Sequence, residues 1–178
     1  KREPCEGRLW YRGYDIKQLI GNLGPHEFGF EKIAYLLLFG DLPTPEQQAE
    51  FTDILSSCRT LPTNFTRDVI MKAPSKDIMN SMTRSVLTLA SYDDQVNGDL
   101  ANSIRQCVRL ISEFPMLAVY GYHAYNHYEN DDSMYIHRPD PNLSTAENIL
   151  RMLRHDMQYT ELEAKALDIA LILHMEHG

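Results

Sequence analysis

Two histidines near the carboxyl end of the 178-residue chain, His174 and His177, have the spacing of a possible binding site. Residues three apart share one face of an α-helix, and this pair follows the apolar run 167–173. The helix dipole favours a protonated imidazole at the carboxyl end of a helix, and a protonated imidazole can bind a carboxylate. A second interpretation stays open, in which one or both rings only hydrogen-bond a neighbouring backbone carbonyl.

The remaining histidines point less clearly to chemistry. His123 and His127 are four apart, so both can face one metal ion, but no third ligand follows at a metal-like spacing. Their tyrosine-rich surroundings are typical of a packed stripe or a partner-facing stripe, and we expect no metal site. We also expect His26, His137 and His155, which lie in or near polar connections, to face solvent.

The composition argues against nucleic acid and membrane as partners, and it indicates a cellular compartment. With 17 basic and 25 acidic residues the net charge is −8, whereas a general nucleic-acid binder carries a basic stripe. The longest apolar runs, 36–39 and 169–173, are far shorter than the ~20 residues that cross a bilayer. Three widely spaced cysteines without a C-x-x-C motif indicate a reducing compartment. We therefore predict a cytoplasmic protein that binds neither nucleic acid nor membrane.

The sequence signals predict helices joined by short turns. Thr44, Pro45 and Gln47 form the clearest helix start, because the Gln47 side chain can return to the cap, and Gly40 ends the preceding helix. Other predicted helix starts are at Asp15, Ser144 and Thr160. The glycine-flanked residues 7–13 suggest a short strand or an extended arm. The predicted fold class is all-α, with a short extended N-terminal segment.

Three helices carry more specific expectations. Residues 78–90 form an amphipathic pattern, and residues 100–128 form a long helical pattern in which Pro115 predicts a kink or a break. The last helix is apolar on every side by its end, which predicts burial by neighbouring elements. No P-loop, G-x-G-x-x-G or G-x-S-x-G motif is present in the sequence.

Four segments together resemble the citrate synthase family in its bacterial form. They are G-R-L-W-Y-R-G-Y-D-I at 7–16, E-K-I-A-Y-L-L-L-F-G-D-L-P-T at 31–44, P-D-P-N-L-S-T-A-E-N-I-L-R-M-L at 139–153 and L-D-I-A-L-I-L-H-M-E-H-G at 167–178. The segments occur in the order and spacing of the family, and the first and last are distinctive. The resemblance spans nearly the whole chain.

The resemblance implies an acyltransferase that condenses acetyl-CoA with oxaloacetate and hydrolyses the thioester to citrate, at the entry to the tricarboxylic acid cycle. The coenzyme A thioester is then a substrate, and no separate cofactor is expected. His177 matches the oxaloacetate-binding histidine of the family, and His174 matches an adjacent residue that is mainly structural. The alternatives are a 2-methylcitrate synthase that uses propionyl-CoA, or a non-catalytic helical dimerisation module.

The same resemblance assigns residues 1–178 to part of the large helical domain. The small domain, the catalytic aspartate and the catalytic histidines belong to segments absent from this chain, so we expect the chain alone to be inactive. Where many relatives carry an arginine for the coenzyme A phosphates, this sequence has His123, which weakens a coenzyme A contact there. The resemblance also implies a homodimer, with the stripes at 78–90 and 104–125 at or near its interface.

Overall fold

The computed structural model describes residues 3, 6–95 and 98–176, and α-helices form most of this part of the chain. They are α1 (Ile16–Gly21), α2 (Phe30–Phe39), α3 (Pro45–Ser57), α4 (Ile78–Leu89), α5 (Leu100–Glu129), α6 (Thr145–Leu153) and α7 (Glu161–Leu173). A π-helical turn covers Thr66–Ile70, and a 3-10 turn covers Ala90–Tyr92. Two short antiparallel strands, β1 (Trp10–Tyr11) and β2 (Tyr14–Asp15), form a hairpin in the expected extended segment. The all-α prediction is confirmed.

The predicted helix caps are present. The Thr44 hydroxyl accepts the Gln47 N–H, and the Gln47 side chain accepts the Thr44 N–H at 2.9 Å. Similar reciprocal caps begin α6 at Ser144 and α7 at Thr160. Gly40 ends α2 with a left-handed backbone (φ 94°), and its N–H donates to the Leu36 carbonyl at 2.8 Å. Local capping chemistry therefore sets the helix limits that the sequence predicts.

The long helix α5 runs through Pro115 without a break, so of the two outcomes that the sequence predicts at this proline, a kink or a break, the break is excluded. Proline removes one helical hydrogen bond at a cost of about 3 kcal/mol. Here α5 packs against α3, α4 and α6, and the free energy gained from this burial outweighs the cost of the lost hydrogen bond. Although α5 has 30 residues, no helix in the described part of the chain is apolar enough over a sufficient length to span a membrane.

The buried faces of α4 and α7 differ from the predicted ones. On α4 the buried residues include Ser81 and Ser85, whereas the side chains of Met79 and Leu87 are 70% and 69% exposed. On α7 the interior receives Ala164, Asp168 and Ile172, but Leu162 and Leu173 are exposed. The prediction that α7 is buried on all sides was therefore wrong within this chain, because its neighbours cover only one stripe of the helix.

Three groups of buried apolar side chains make up the core. One joins α4, α5 and α6, the second joins the hairpin, α1, α2 and α7, and a smaller third group lies between α2, α3 and α5. The second group comprises Tyr11, Ile16, Leu19, Ile33, Leu36 and Ile172. It places the N-terminal hairpin directly against the end of α7.

A buried carboxylate on α2 joins three parts of the fold. Glu31 accepts hydrogen bonds from the Thr145 backbone N–H at 2.7 Å and from the Thr145 hydroxyl at 2.8 Å, at the start of α6. Arg59, which follows α3, lies 3.4 Å from the same carboxylate oxygen and donates to the Leu143 carbonyl at 2.6 Å. Both charged side chains are almost fully buried. The ion pair and the backbone bonds together compensate for removing this charge from water.

We predict that Glu31→Gln destabilises the fold. The substitution leaves the Arg59 charge buried without its counter-charge, a change that costs about 3 kcal/mol in comparable pairs. Urea unfolding followed by circular dichroism measures the loss, and Glu50→Gln on the exposed face of α3 is the matched control. Equal free energies of unfolding for the two variants would contradict this account of Glu31.

Candidate functional site

The position of α7 is fixed by Asp168, a fully buried carboxylate near the middle of the helix. It accepts the backbone N–H of Gly29 at 2.8 Å and that of Phe30 at 3.0 Å, at the amino end of α2. Burial raises the pKa of the Asp168 carboxyl, while the two N–H groups act in the opposite direction. A carboxylate of α7 thus caps another helix, and the amino-terminal N–H groups of that helix, which have no partner within it, compensate for the buried charge.

Gly29 allows α7 to approach α2 this closely. A Cβ atom built at this position would lie 2.6 Å from Leu23 Cδ1 and 3.0 Å from Ile172 Cδ1. The first distance is shorter than real Cβ contacts allow. Any larger residue at position 29 would therefore have to displace the end of the Leu23 side chain and crowd that of Ile172.

The N-terminal hairpin holds the other end of α7. Tyr11 is buried between the hairpin and the helix, and its hydroxyl donates to the Ile172 carbonyl at 2.7 Å. Burial raises the pKa of the Tyr11 phenol, and the nearby backbone of Glu176 and Met175 partly opposes that rise. Met175 packs against the same apolar group as Tyr11, so this group includes a residue that follows α7.

An open cavity of about 530 Å³ lies beside this end of α7. Its lining residues are Trp10, Tyr11, Arg12, Leu37, Met175 and Glu176. Arg12 occupies the first central position of the hairpin turn with φ 50°, next to Gly13 at φ 89°. Its guanidinium donates to the Leu37 carbonyl at 2.9 Å, which keeps a positive charge at the cavity. The Arg12 charge favours an anionic ligand, whereas Glu176 adds a charge of the opposite sign to the same lining.

Of the two predicted site histidines, the structure describes one. His174 is exposed and follows the last residue of α7, and its Nδ1 donates to the Ala170 carbonyl at 2.7 Å. This hydrogen bond corresponds to the structural alternative that the sequence left open for that residue. His177 lies outside the described residues, so its role in binding oxaloacetate stays a prediction.

His123 and His127 bind different carbonyl groups. His123 is buried on α5, and its Nε2 donates to the Met152 carbonyl at 3.0 Å. His127 is exposed, and its Nδ1 donates to the Asp132 carbonyl at 2.8 Å. The His123 imidazole thus joins α5 to α6 inside the fold.

The other histidines have mixed surroundings. His26 and His155 are exposed, as predicted, and His26 pairs with Glu161. His137 is half-buried and stacks on Tyr135 with the ring centroids 5.7 Å apart, so the expectation that it faces solvent was wrong. Its Nε2 atom is buried and has no hydrogen-bond partner among residues 3, 6–95 and 98–176.

Sequence reasoning missed Tyr11, Glu31 and Asp168, the polar side chains that position α2, α6 and α7. One signal was available for Asp168, which interrupts the apolar run 167–173 and would be costly to bury without partners. Its partners are 138 and 139 residues away along the chain, so no local pattern identifies them.

Comparisons with known proteins identify the family and the fold. The family described as "Citrate synthase, C-terminal domain" matches residues 2–178. A citrate synthase of Corynebacterium glutamicum is 34% identical over 177 residues, and a 2-methylcitrate synthase of Shewanella oneidensis is 31% identical over 176 residues. The solved citrate synthase of Thermoplasma acidophilum has the same fold, with a TM-score of 0.82 at 22% identity over 97% of this chain.

The chain covers only part of these proteins. The alignments include 96% and 95% of this chain, but 38% of the Corynebacterium enzyme and 42% of the Shewanella enzyme. The chain also covers 42% of the solved Thermoplasma protein. It therefore spans about two fifths of the length of each of these three relatives.

We predict that Asp168 gives the folded protein a pH-dependent share of its stability. Because its folded-state pKa is raised above the ordinary 3.8, the folded state binds this proton more tightly than the unfolded chain. That contribution is complete below the ordinary pKa and is lost as the pH rises through the raised value. Compared with Asp168→Asn, the relative stability of the unaltered protein should fall as the pH rises above the ordinary pKa of 3.8.

Urea unfolding at a series of pH values measures this difference. Asp53→Asn, at an exposed aspartate of α3, controls for the change in net charge. A difference between the unaltered protein and Asp168→Asn that grows with pH would contradict the prediction.

Proposed function

The chain belongs to the citrate synthase family, and from that premise we propose that the complete protein condenses acetyl-CoA with oxaloacetate and hydrolyses the thioester, releasing citrate and CoA. This is an acyl transfer that forms a carbon–carbon bond. Residues 1–178 contribute part of the large helical domain, and the small domain and the catalytic aspartate and histidines come from the rest of the protein. We place the enzyme in the cytoplasm.

One observation carries the proposal: the segment L-H-M-E-H-G follows a helix whose end is fixed beside a cavity with a cationic side chain. Asp168 holds α7 on α2, and Tyr11 holds its last turn on the hairpin. Arg12 adds positive charge to the adjacent cavity. Rigid elements position a binding group more accurately than mobile loops do, and they support a role for this helix end in binding a dicarboxylate.

His177 is the residue that we assign to oxaloacetate. The assignment follows from the resemblance to the family, and a protonated imidazole can donate a charge-assisted hydrogen bond to a carboxylate or carbonyl oxygen. His174 has a structural role, supported by the bond of its Nδ1 to the Ala170 carbonyl. In this scheme His177 orients oxaloacetate, while residues from the rest of the protein generate and stabilise the enolate of the acetyl group.

The second substrate enters as a coenzyme A thioester, so the proposed reaction needs no separate cofactor or metal. The burial of His123 supports a coenzyme A site that does not use this position. The binding groups for the phosphates then come from other residues of the complete enzyme.

We also propose a homodimer formed through α4 and α5. Apolar side chains on these helices are exposed in the single chain, notably Met79, Leu87, Leu100 and Phe114. Exposed apolar groups of this kind are typical of subunit interfaces. They support the pairing that the family resemblance implies.

A second candidate reaction is the synthesis of 2-methylcitrate from propionyl-CoA and oxaloacetate. The 31% identity to the Shewanella oneidensis enzyme favours it nearly as strongly as the 34% identity to the Corynebacterium enzyme favours citrate synthesis. The two acyl groups differ by one methylene, which a pocket discriminates by only ~1–3 kcal/mol. A non-catalytic dimerisation module is the remaining alternative.

We predict that His177→Ala in the complete enzyme weakens oxaloacetate binding about 10- to 100-fold, because one charge-assisted hydrogen bond is lost. Isothermal titration calorimetry measures the dissociation constant. His174→Ala is the matched control, since it removes an imidazole three residues earlier, and it should change the constant less than about threefold. An unchanged affinity in His177→Ala would refute the role of this residue.

We predict that the complete enzyme releases CoA faster from acetyl-CoA than from propionyl-CoA, by about tenfold or more in kcat/KM. A thiol-detection assay with oxaloacetate present measures both rates. The 178-residue chain alone should release CoA from neither thioester, because the groups that form the enolate are assigned to other segments. A higher kcat/KM for propionyl-CoA would favour 2-methylcitrate synthesis. Absence of turnover in the complete protein would favour the dimerisation module. Turnover by the 178-residue chain alone would contradict the domain assignment.

A further inference from the structure

A small open cavity lies between the carboxyl end of α4 and the middle of α5. Its volume is about 230 Å³, and none of its described lining residues also lines the cavity at the end of α7. The lining residues are Val86, Leu89, Ala90, Asp93, Gln106, Arg109, Leu110 and Glu113. The four that belong to α5 follow the spacing i, i+3, i+4 and i+7, so they form one stripe of the helix.

Most of the cavity wall is apolar. Val86, Leu89 and Leu110 contribute aliphatic side chains, and Ala90 contributes a methyl group. Leu89 belongs to the core group that joins α4, α5 and α6, and Val86 packs against that group. Such a wall fits the hydrocarbon part of a small ligand, because apolar surface that leaves water on binding contributes favourably to the affinity.

Glu113 is the buried charged group of this cavity. The residue is 2% exposed, and in the described part of the chain its carboxylate accepts one hydrogen bond, from Arg109 Nη2 at 3.0 Å. An ionised carboxylate has about four acceptor positions on its two oxygens. Glu113 therefore keeps hydrogen-bonding capacity for a donor that enters the cavity.

The second carboxylate of the lining, Asp93, is already compensated. It accepts two hydrogen bonds from Arg105 at 2.7 Å and one from Gln106 at 3.0 Å, and these partners lower its pKa to about 2. By contrast, burial raises the pKa of Glu113, and Arg109 opposes that rise only in part. Glu113 is thus a buried carboxylate with incomplete compensation, which a further cationic donor would stabilise.

We propose that this cavity binds a small primary amine, with its ammonium group on Glu113 and its hydrocarbon part against Val86 and Leu110. The ammonium supplies N–H donors and a positive charge to a carboxylate that has one partner, whereas an uncharged ligand would fill the apolar space only. An anionic ligand is disfavoured because two carboxylates and one guanidinium line the cavity. The site uses no residue that we assign to the condensation reaction.

The test is titration calorimetry of the complete protein with 2-phenylethylamine at about pH 8, where a primary amine is protonated. We expect a dissociation constant below about 1 mM, which is reasonable for a ligand of this size. Two matched probes keep the ring and change the charge: 2-phenylethanol is neutral and 3-phenylpropionate is anionic. The alcohol should bind about tenfold more weakly than the amine, and the anion more weakly still.

Two substitutions locate the binding. Glu113→Gln removes the negative charge at nearly constant shape, and it should raise the dissociation constant of the amine about tenfold or more while changing that of the alcohol less than about threefold. Glu129→Gln, the same change at an exposed residue of α5, is the matched control and should change neither constant more than about twofold.

Ala90→Leu gives a second variant that leaves Glu113 in place. The larger side chain occupies part of the cavity, so it should weaken binding of the amine and the alcohol alike. Ala90 is exposed, and the variant therefore keeps the proposal testable if Glu113→Gln does not fold, which circular dichroism shows.

Loss of amine binding in Glu113→Gln and Ala90→Leu, but not in Glu129→Gln, would support the site. Equal affinities for the amine and the alcohol, tightest binding of the anion, or unchanged amine binding in Glu113→Gln or Ala90→Leu would overturn it. Absence of binding to the complete protein, in which any subunit contact across α4 and α5 is already formed, would also overturn it. None of these measurements depends on turnover, so the proposed reaction is tested separately.

Discussion

The interaction on which the site depends is the capping of α2 by the buried carboxylate of Asp168. Burial of a carboxylate charge is costly, and here hydrogen bonds from the N–H groups of Gly29 and Phe30 compensate for it. The bonds form only when α7 lies across the start of α2 at one position along its axis. This constraint sets where the last turn of α7 meets the hairpin, and so where Tyr11 can reach the Ile172 carbonyl.

A second buried carboxylate, on α2, caps the amino end of α6 in the same way. Glu31 of α2 binds the first N–H of α6 at Thr145, as Asp168 of α7 binds the first N–H groups of α2. Three helices are thus linked in series by carboxylates that each cap the amino end of another helix. Because these caps are buried and directional, they fix the positions of α2, α6 and α7 relative to one another, which apolar contacts alone would allow to vary. The arrangement connects the α5–α6 side of the fold to the end of α7.

Sequence reasoning succeeded where a structural feature depends on neighbouring residues. The caps at Thr44, Ser144 and Thr160 follow from residues three apart, and the fold class follows from the accumulation of such signals. It failed where tertiary contacts decide, because periodicity identifies an apolar face but not the element that covers it. For this reason the burial of Ser81 on α4 was not predicted, and the sequence could not decide between a kink and a break of α5 at Pro115. The caps from Glu31 and Asp168 join residues more than a hundred positions apart, beyond any local pattern.

The hairpin turn has a consequence for attempts to engineer a more heat-resistant variant. Arg12 adopts a left-handed backbone, which costs a non-glycine residue about 1–2 kcal/mol, and asparagine followed by Gly13 would suit this turn better. A screen for thermal tolerance would therefore select against arginine here. Such a change would also remove the guanidinium from the cavity and its bond to the Leu37 carbonyl. Thermal stability and the attraction of an anionic ligand thus favour different residues at position 12.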